Sequence, residues 1–338
     1  MRLPIPAILF SAMLVSCNNA DNIPDVSNIK INISTDRFEK KLFDTTVSNL
    51  FNYILQLQSD NPSFTNTFLS TILNVDPSWP VDTAASYVNG FIKAYRPVYD
   101  SSQKKFSDFS PFEKEIKHGL QLVKYYFPAY KLPGKIITYI GPADGYGDIL
   151  LSGEAIVVGL QHHLGKDFYL YKSSLVQETY PEYVSGRFEP GYIAVNCLNN
   201  IINDIYPEKQ EDKSLANQLV EKGKKLYLLA KFLPGTEEYK LIGFTKKQLA
   251  DAYSHEAVIW DLFVKNGYLQ ITDKNIIKNY LGEGPKTPEL GDGAPGNIGS
   301  FAGWQIVKKY MQKNTATSLQ QLLALDAETI FQEAKYKP

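Results

Sequence analysis

The chain has 338 residues, 44% of them hydrophobic and 21% charged, with 35 Lys and Arg against 36 Asp and Glu. That composition excludes a disordered chain, and a formal net charge of −1 with no basic run gives no footprint for nucleic acid. The length suffices for one large domain or two small ones with a sizeable core.

In chain order the first feature is a leader. One basic residue, Arg2, precedes a short apolar run that ends in Leu14-Val15-Ser16-Cys17. This order reads as a secretory signal over residues 1–16, closed by a bacterial lipobox. The small Ser16 admits a signal peptidase to the bond before Cys17, whose thiol would carry the lipid. The apolar stretch is too short to span a bilayer, so its task is targeting. No later stretch approaches spanning length, so the lipid is the expected attachment to a membrane. Residues 17–35 read as a tether and 36–338 as a single α-rich globular domain, with no internal repeat and no dividing linker.

Ile29–Ile33 alternates and is expected as a short strand. A helix is expected from Asp36 through Phe38, Leu42, Leu50, Ile54 and Leu57, stopped by Asn61-Pro62. Phe64, Phe68, Ile72 and Leu73 suit a second helix, and Asp76–Pro80 a loop. Ser110-Pro111-Phe112-Glu113 predicts a capping box at the start of a helix that runs to Tyr126, with Pro128 ending it. Residues 135–140 and 155–160 are β-rich runs expected to pair in a small sheet around 135–171, with a turn-rich loop at 141–147 between them. Helices are then expected at 193–205, 213–232, 245–263, 274–280, 298–312 and 319–325. The Gly/Pro-rich stretch Pro285–Gly296 is long enough to cover a cleft. The whole predicts an α+β fold, mostly α-helical, with one small β-sheet.

Chemistry-bearing motifs are few. His255-Glu256 opens a zinc-protease helix motif, but Ile259 stands where its second histidine belongs. The adjacent His162-His163 would face opposite ways on a strand, and surface loop residues are the simpler reading. Asp144 and Asp148 flank Gly145-Tyr-Gly147 without calcium-loop spacing, so turn chemistry accounts for them. Cys197, among apolar neighbours, reads as a buried small residue. Asn199-Asn200-Ile-Ile-Asn203 puts amides where a His-Glu-x-x-His helix carries its ligands, and Glu221 follows on the next expected helix. Amides are poor zinc ligands, and solvated faces of amphipathic helices are the plainer account. No metal and no cofactor is expected. Trp79 or Trp304 would suit a small-ligand site if exposed, although Trp304 fits a buried helix face.

The C-terminal third carries a likeness. Its blocks are Glu221–Pro234, Ala257-Val-Ile-Trp260-Asp-Leu-Phe263, Gly282-Glu-Gly-Pro285-Lys-Thr-Pro288, Pro295-Gly-Asn-Ile-Gly299 leading to Gly303-Trp304 and Tyr310, and Ile330–Pro338. With the lipobox and Arg37-Phe38-Glu39 near the start, the chain resembles the gliding-motility lipoprotein B family of Bacteroidota across nearly its whole mature length. The resemblance implies a lipid-anchored envelope protein needed for gliding and for the associated type IX secretion, with the domain in the periplasm. Its implied partners are the membrane, through the lipid, and protein components of that machinery. It implies no catalytic residues. It also implies a distant likeness to zincin-like peptidases, a degenerate zincin-like fold in which Asn199, Asn203 and Glu221 would mark a dead site. His162-His163 departs from the Leu-Asp pair expected there. The leading expectation is a non-catalytic protein whose cleft recognises a protein segment. A peptidase-like hydrolase with unusual ligands and a solute- or glycan-binding lipoprotein are the alternatives.

Overall fold

A computed structural model describes residues 23–44, 50–151, 153–208 and 213–338. Leu14, Val15, Ser16 and Cys17 lie outside the described residues.

The sheet is built from four short strands: β1 (Ser34–Arg37), β2 (Lys135–Tyr139), β3 (Ile149–Leu151) and β4 (Ala155–Gly159), in the order β1-β2-β4-β3. β1, β2 and β4 run parallel, and β3 pairs antiparallel with β4. β2 and β4 are the two apolar runs of the sequence, and both are almost wholly buried. Unbroken apolar sequence is what a parallel strand covered on both faces requires. The expected pairing of these runs is therefore present. The sheet ends at Gly159, however, and recruits β1 from 97 residues before β2 in register Ser34↔Lys135.

The N-terminal part differs from expectation. The strand lies at 34–37 and not at 29–33, and the helix α1 (Phe38–Phe43) begins after it and not at Asp36. Residues 26–35 belong to the folded body, not to a tether. Val26, Ile31 and Ile33 are buried, and Gln121 Nε2 donates to the carbonyl of Ile29 at 2.7 Å. Alternation over 29–33 was real, but it reports an extended segment laid on the core whose pairing begins only where it meets β2. α2 (Leu50–Asp60) is separate from α1, and Asn61-Pro62 closes it while opening α3 (Pro62–Thr67). A π-turn over Phe68–Ile72 continues α3 and brings Phe64 and Phe68 edge-on to Phe38 and Tyr139, an aromatic knot beneath β2.

The 25-residue α4 (Val81–Lys105) carries Pro97 in its interior and too mixed a pattern to be read from sequence. α5 (Ser110–Tyr126) begins where expected, but its capping box does not form. Ser110 turns back to Asp108, and Glu113 accepts from Thr35 Oγ1 at 2.6 Å, so a contact to β1 replaces the local cap.

Beyond the sheet come the short α6 (Ser174–Thr179) and α7 (Glu182–Ser185), then α8 (Ile193–Ile205) and α9 (Leu215–Phe232). The stretch expected as one helix over 245–263 breaks at His255 into α11 (Lys246–Ser254) and α12 (Glu256–Lys265), after the short α10 (Glu238–Ile242). α13 (Lys274–Leu281), α14 (Ile298–Lys313), α15 (Leu319–Ala324) and α16 (Ala327–Ala334) complete the chain. α14 is buried along most of its length, Trp304 included, and lies against α9. α14 carries glycine where the two backbones meet.

Candidate functional site

Two of the asparagines singled out in the sequence, Asn199 and Asn203, lie on one face of α8 together with Asn196; the third, Asn200, leaves that face, its Nδ2 3.4 Å from the carbonyl of Asp148. Asn196, Asn199 and Asn203 recur at helical spacing, and all three line a cleft of about 490 Å³. Its opposite walls are Lys222, Lys225 and Leu226 of α9, α10, and Glu283 with Asn297 at the ends of the 283–297 loop. The face is therefore not simply solvated. Asn203 Oδ1 accepts from Lys225 Nζ at 2.8 Å, and Asn196 Nδ2 donates inward to Asp148 Oδ2 at 3.0 Å. The Asn199 side chain has no hydrogen bond among the described residues.

Glu221 is not brought to these amides. Its carboxylate accepts from Tyr206 Oη at 2.6 Å and from the buried Lys224 Nζ at 3.3 Å, and it lines a neighbouring cavity of about 360 Å³. Glu221 thus lines a different cavity from the amides, although its charge still acts on Lys225, the residue that holds Asn203.

Arg187 and Glu283 form a two-pronged ion pair, with N–O distances of 3.2 and 3.0 Å, at the boundary between the cleft and an adjoining cavity of about 380 Å³. The guanidinium lies over Gly243, where a Cβ would stand 2.5 Å from Nη1. Pro285, Pro295 and Gly296 line that second cavity, so the Gly/Pro-rich loop does border a cleft. The loop is clipped to itself by the buried Thr287, whose Oγ1 donates to the carbonyl of Pro295 at 2.7 Å.

Behind α8 lies a group that sequence reasoning misplaced. His162 and His163 are buried, not surface residues, because the buried strand β4 runs straight into the turn that holds them. Asp148, read as a turn residue, is buried too. His163 Nε2 lies 2.8 Å from Asp148 Oδ2, with the two side chains 1% and 3% exposed. Asp148 also accepts from the backbone N–H of Gly159 at 2.9 Å, and His163 Nδ1 lies 3.2 Å from the carbonyl of Glu189. Burial alone would raise the Asp148 carboxyl, but His163, Asn196 and Gly159 together hold it below its ordinary value. Burial alone would lower His163, and Asp148 holds it above. A sealed, satisfied ion pair of this kind orients and braces; no group of three or more His, Cys, Asp or Glu that could hold a metal occurs among the described residues. Cys197 is buried as expected, and burial pushes its thiol well above the ordinary range, away from nucleophilic chemistry.

His162 behaves oppositely to His163. It stacks on Phe188 at 4.4 Å, and its Nε2 lies 2.8 Å from the carbonyl of Ala143. Burial lowers its pKa from 6.5 to about 4, with His163 adding to the effect while Asp148 and Asp144 oppose it. The unfolded chain binds this proton below pH 6.5 and the folded one only near pH 4, so the residue destabilises the fold progressively across that interval. The cost at pH 5 is about 2 kcal/mol relative to pH 7. His162→Gln, whose amide can still donate to Ala143, is expected to gain about that much on wild type when urea midpoints at pH 7 and pH 5 are compared. Parallel losses in both proteins would remove His162 as the acid-sensitive group.

The fold and site together define a mostly helical α+β domain with a polar cleft backed by a sealed His–Asp pair. A family model described as gliding motility protein GldB matches residues 19–338, and the chain belongs to that family. No curated protein and no solved structure matches it. No described helix is long and apolar enough to cross a membrane.

Proposed function

We propose that this chain is a lipid-anchored cell-envelope protein that supports gliding motility and type IX protein secretion by binding, not by catalysis. The observation that carries the motility reading is the family match over residues 19–338. The lipobox Leu14-Val15-Ser16-Cys17 supports the anchor, and with it a periplasmic domain. The groups along the cleft support binding: its amides and ammoniums recognise charge and backbone polarity, and its two carboxylates, Glu208 and Glu283, are held in ion pairs with Lys222 and Arg187. The partners are then the membrane, through the lipid, and proteins of the gliding and secretion machinery.

The test is a gene deletion complemented with wild type or with Cys17→Ser, scored for colony spreading, secretion of a type IX cargo and membrane fractionation. Wild type is expected to restore spreading and secretion, while the Cys17→Ser protein leaves the membrane fraction and takes up no fatty-acid probe. Normal spreading and secretion in the deletion strain would overturn the motility and secretion roles. A Cys17→Ser protein that still fractionates with membranes and takes up the probe would overturn the anchor. Stoichiometric zinc in protein purified without chelator would instead favour a hydrolase with unusual ligands.

A further inference from the structure

We propose that the cleft between α8, α9 and α10 binds an extended acidic peptide, its backbone read by Asn199 and Asn203 and its carboxylates by Lys222 and Lys225. The inference deepens the binding role proposed above and rests on it.

The amide row sets the geometry. A carboxamide presents a donor and an acceptor side by side, the complement of a peptide unit; Asn199 offers both, and Asn203 its Nδ2, its Oδ1 being held by Lys225. Asn199 and Asn203 are four residues apart on α8, a rise of about 6 Å. Alternate residues of an extended chain repeat every ~6.6 Å, so neighbouring amides meet successive peptide units of the same face. The Asn199 side chain spends no hydrogen bond on the protein itself among the described residues, and it lines the cleft. Asn196 anchors the start of the row to the rigid Asp148–His163 pair, which fixes the helix face against movement when a ligand arrives.

Charge sets the sign of the ligand. Lys222 Nζ lies 2.6 Å and Lys225 Nζ 3.6 Å from the same oxygen of Glu208, so among the described residues of the cleft these two ammoniums share one carboxylate, while Glu283 is held by Arg187 and Glu221 acts on Lys225 from the neighbouring cavity. The Lys225 side chain is only 14% exposed, so solvent screens its attraction for a carboxylate less than it would on an open surface. Between the polar groups the accessible apolar walls include Val184 and Leu226. These suit the alternate side chains of a peptide. A sugar would ask for a free ring face, but Phe188 is stacked on His162 and Tyr192 is buried.

The full-length protein, wild type and Asn199→Ala/Asn203→Ala, is panned against a phage library of random dodecapeptides and probed on a glycan array. Wild type is expected to enrich peptides that combine Asp or Glu with apolar residues. Synthetic versions should bind the double variant at least about tenfold more weakly, in line with the loss of two or more backbone hydrogen bonds. The variant should melt close to wild type, since the Asn199 side chain makes no hydrogen bond among the described residues and Asn203 makes one, to Lys225, whose ammonium keeps Glu208 nearby. No enrichment, enrichment of basic peptides, or equal binding by the variant would overturn the proposal. So would glycan binding that the variant loses. Failed panning beside a non-gliding deletion strain rejects the peptide alone. A deletion strain that spreads and secretes normally rejects the motility reading, whatever the peptides do.

Discussion

Gly303→Ala is expected to destabilise this protein by about 3 kcal/mol or more, at the upper end of what overpacking costs. At the crossing of α9 and α14 the two backbones touch. A Cβ built on Gly303 would stand 1.8 Å from the carbonyl oxygen of Leu219, and one on Gly223 would stand 2.2 Å from the carbonyl of Gly303. Neither obstacle is the end of a flexible side chain, so the helices must separate. α14 is buried along most of its length, carrying Phe301, Trp304, Ile306 and Val307, and separation loosens contacts along it. Gly90 is the control. It lies inside α4, and a Cβ there meets nothing within 4 Å. Gly90→Ala should stabilise by up to about 1 kcal/mol through helix propensity alone. Urea unfolding of the two variants should shift the midpoint in opposite directions. A Gly303→Ala protein as stable as wild type would mean that the helices do not cross at this distance.

Asp148→Ala is expected to cost about 3–5 kcal/mol, the range for breaking a buried ion pair by removing one partner. It strands three groups at once: the His163 ring, the Asn196 amide and the N–H of Gly159. The loss should depend on pH with a definite sign. Asp148 is held below its ordinary 3.8, so its contribution is present above that value and fades as acid protonates it in the folded state. His163 is held above its ordinary 6.5, so its contribution is full below 6.5 and fades as pH rises through its folded value. The stability gap between wild type and Asp148→Ala should therefore be widest between about pH 4 and 6.5 and narrow on either side. A gap independent of pH would show that packing, not charge, is what Asp148 supplies. Because Asn196 donates to the same carboxylate, the variant should also loosen α8 beneath the cleft, visible as faster amide exchange along Ile193–Ile205.

Several elements were legible because their signal is local. Ala155–Gly159 is an apolar run of β-formers and is a buried strand; Ile193–Ile205 has a clean apolar stripe and is a helix with those bounds. Asn61-Pro62 stops one helix and starts another, as the loss of an N–H at proline requires. Elsewhere a distant group outbid the local one. Glu113 left its cap for Thr35, and the alternation at 29–33 served burial while the pairing moved to 34–37. One periodic stretch splits at His255, whose backbone leaves helical geometry (φ −115°, ψ 22°) to end α11 and open α12.

The site divides in the same way. The amides at 199 and 203 stood out in the sequence, and the structure gives them a cleft; Glu221, paired with them by spacing alone, points elsewhere. Nothing in the sequence near His163 names Asp148, 15 residues away across the β3–β4 pair, or Asn196 on α8. By itself the sequence determined the family, the apolar runs of the sheet and most of the helices, because period and composition report which face of a local segment leaves water. Only the tertiary structure decided that β1 joins the sheet, that two histidines are buried with opposite proton affinities, and that one helix face lines a cleft. Those outcomes depend on which groups, far apart in the chain, are held within about 3 Å of one another, and no local pattern encodes that distance.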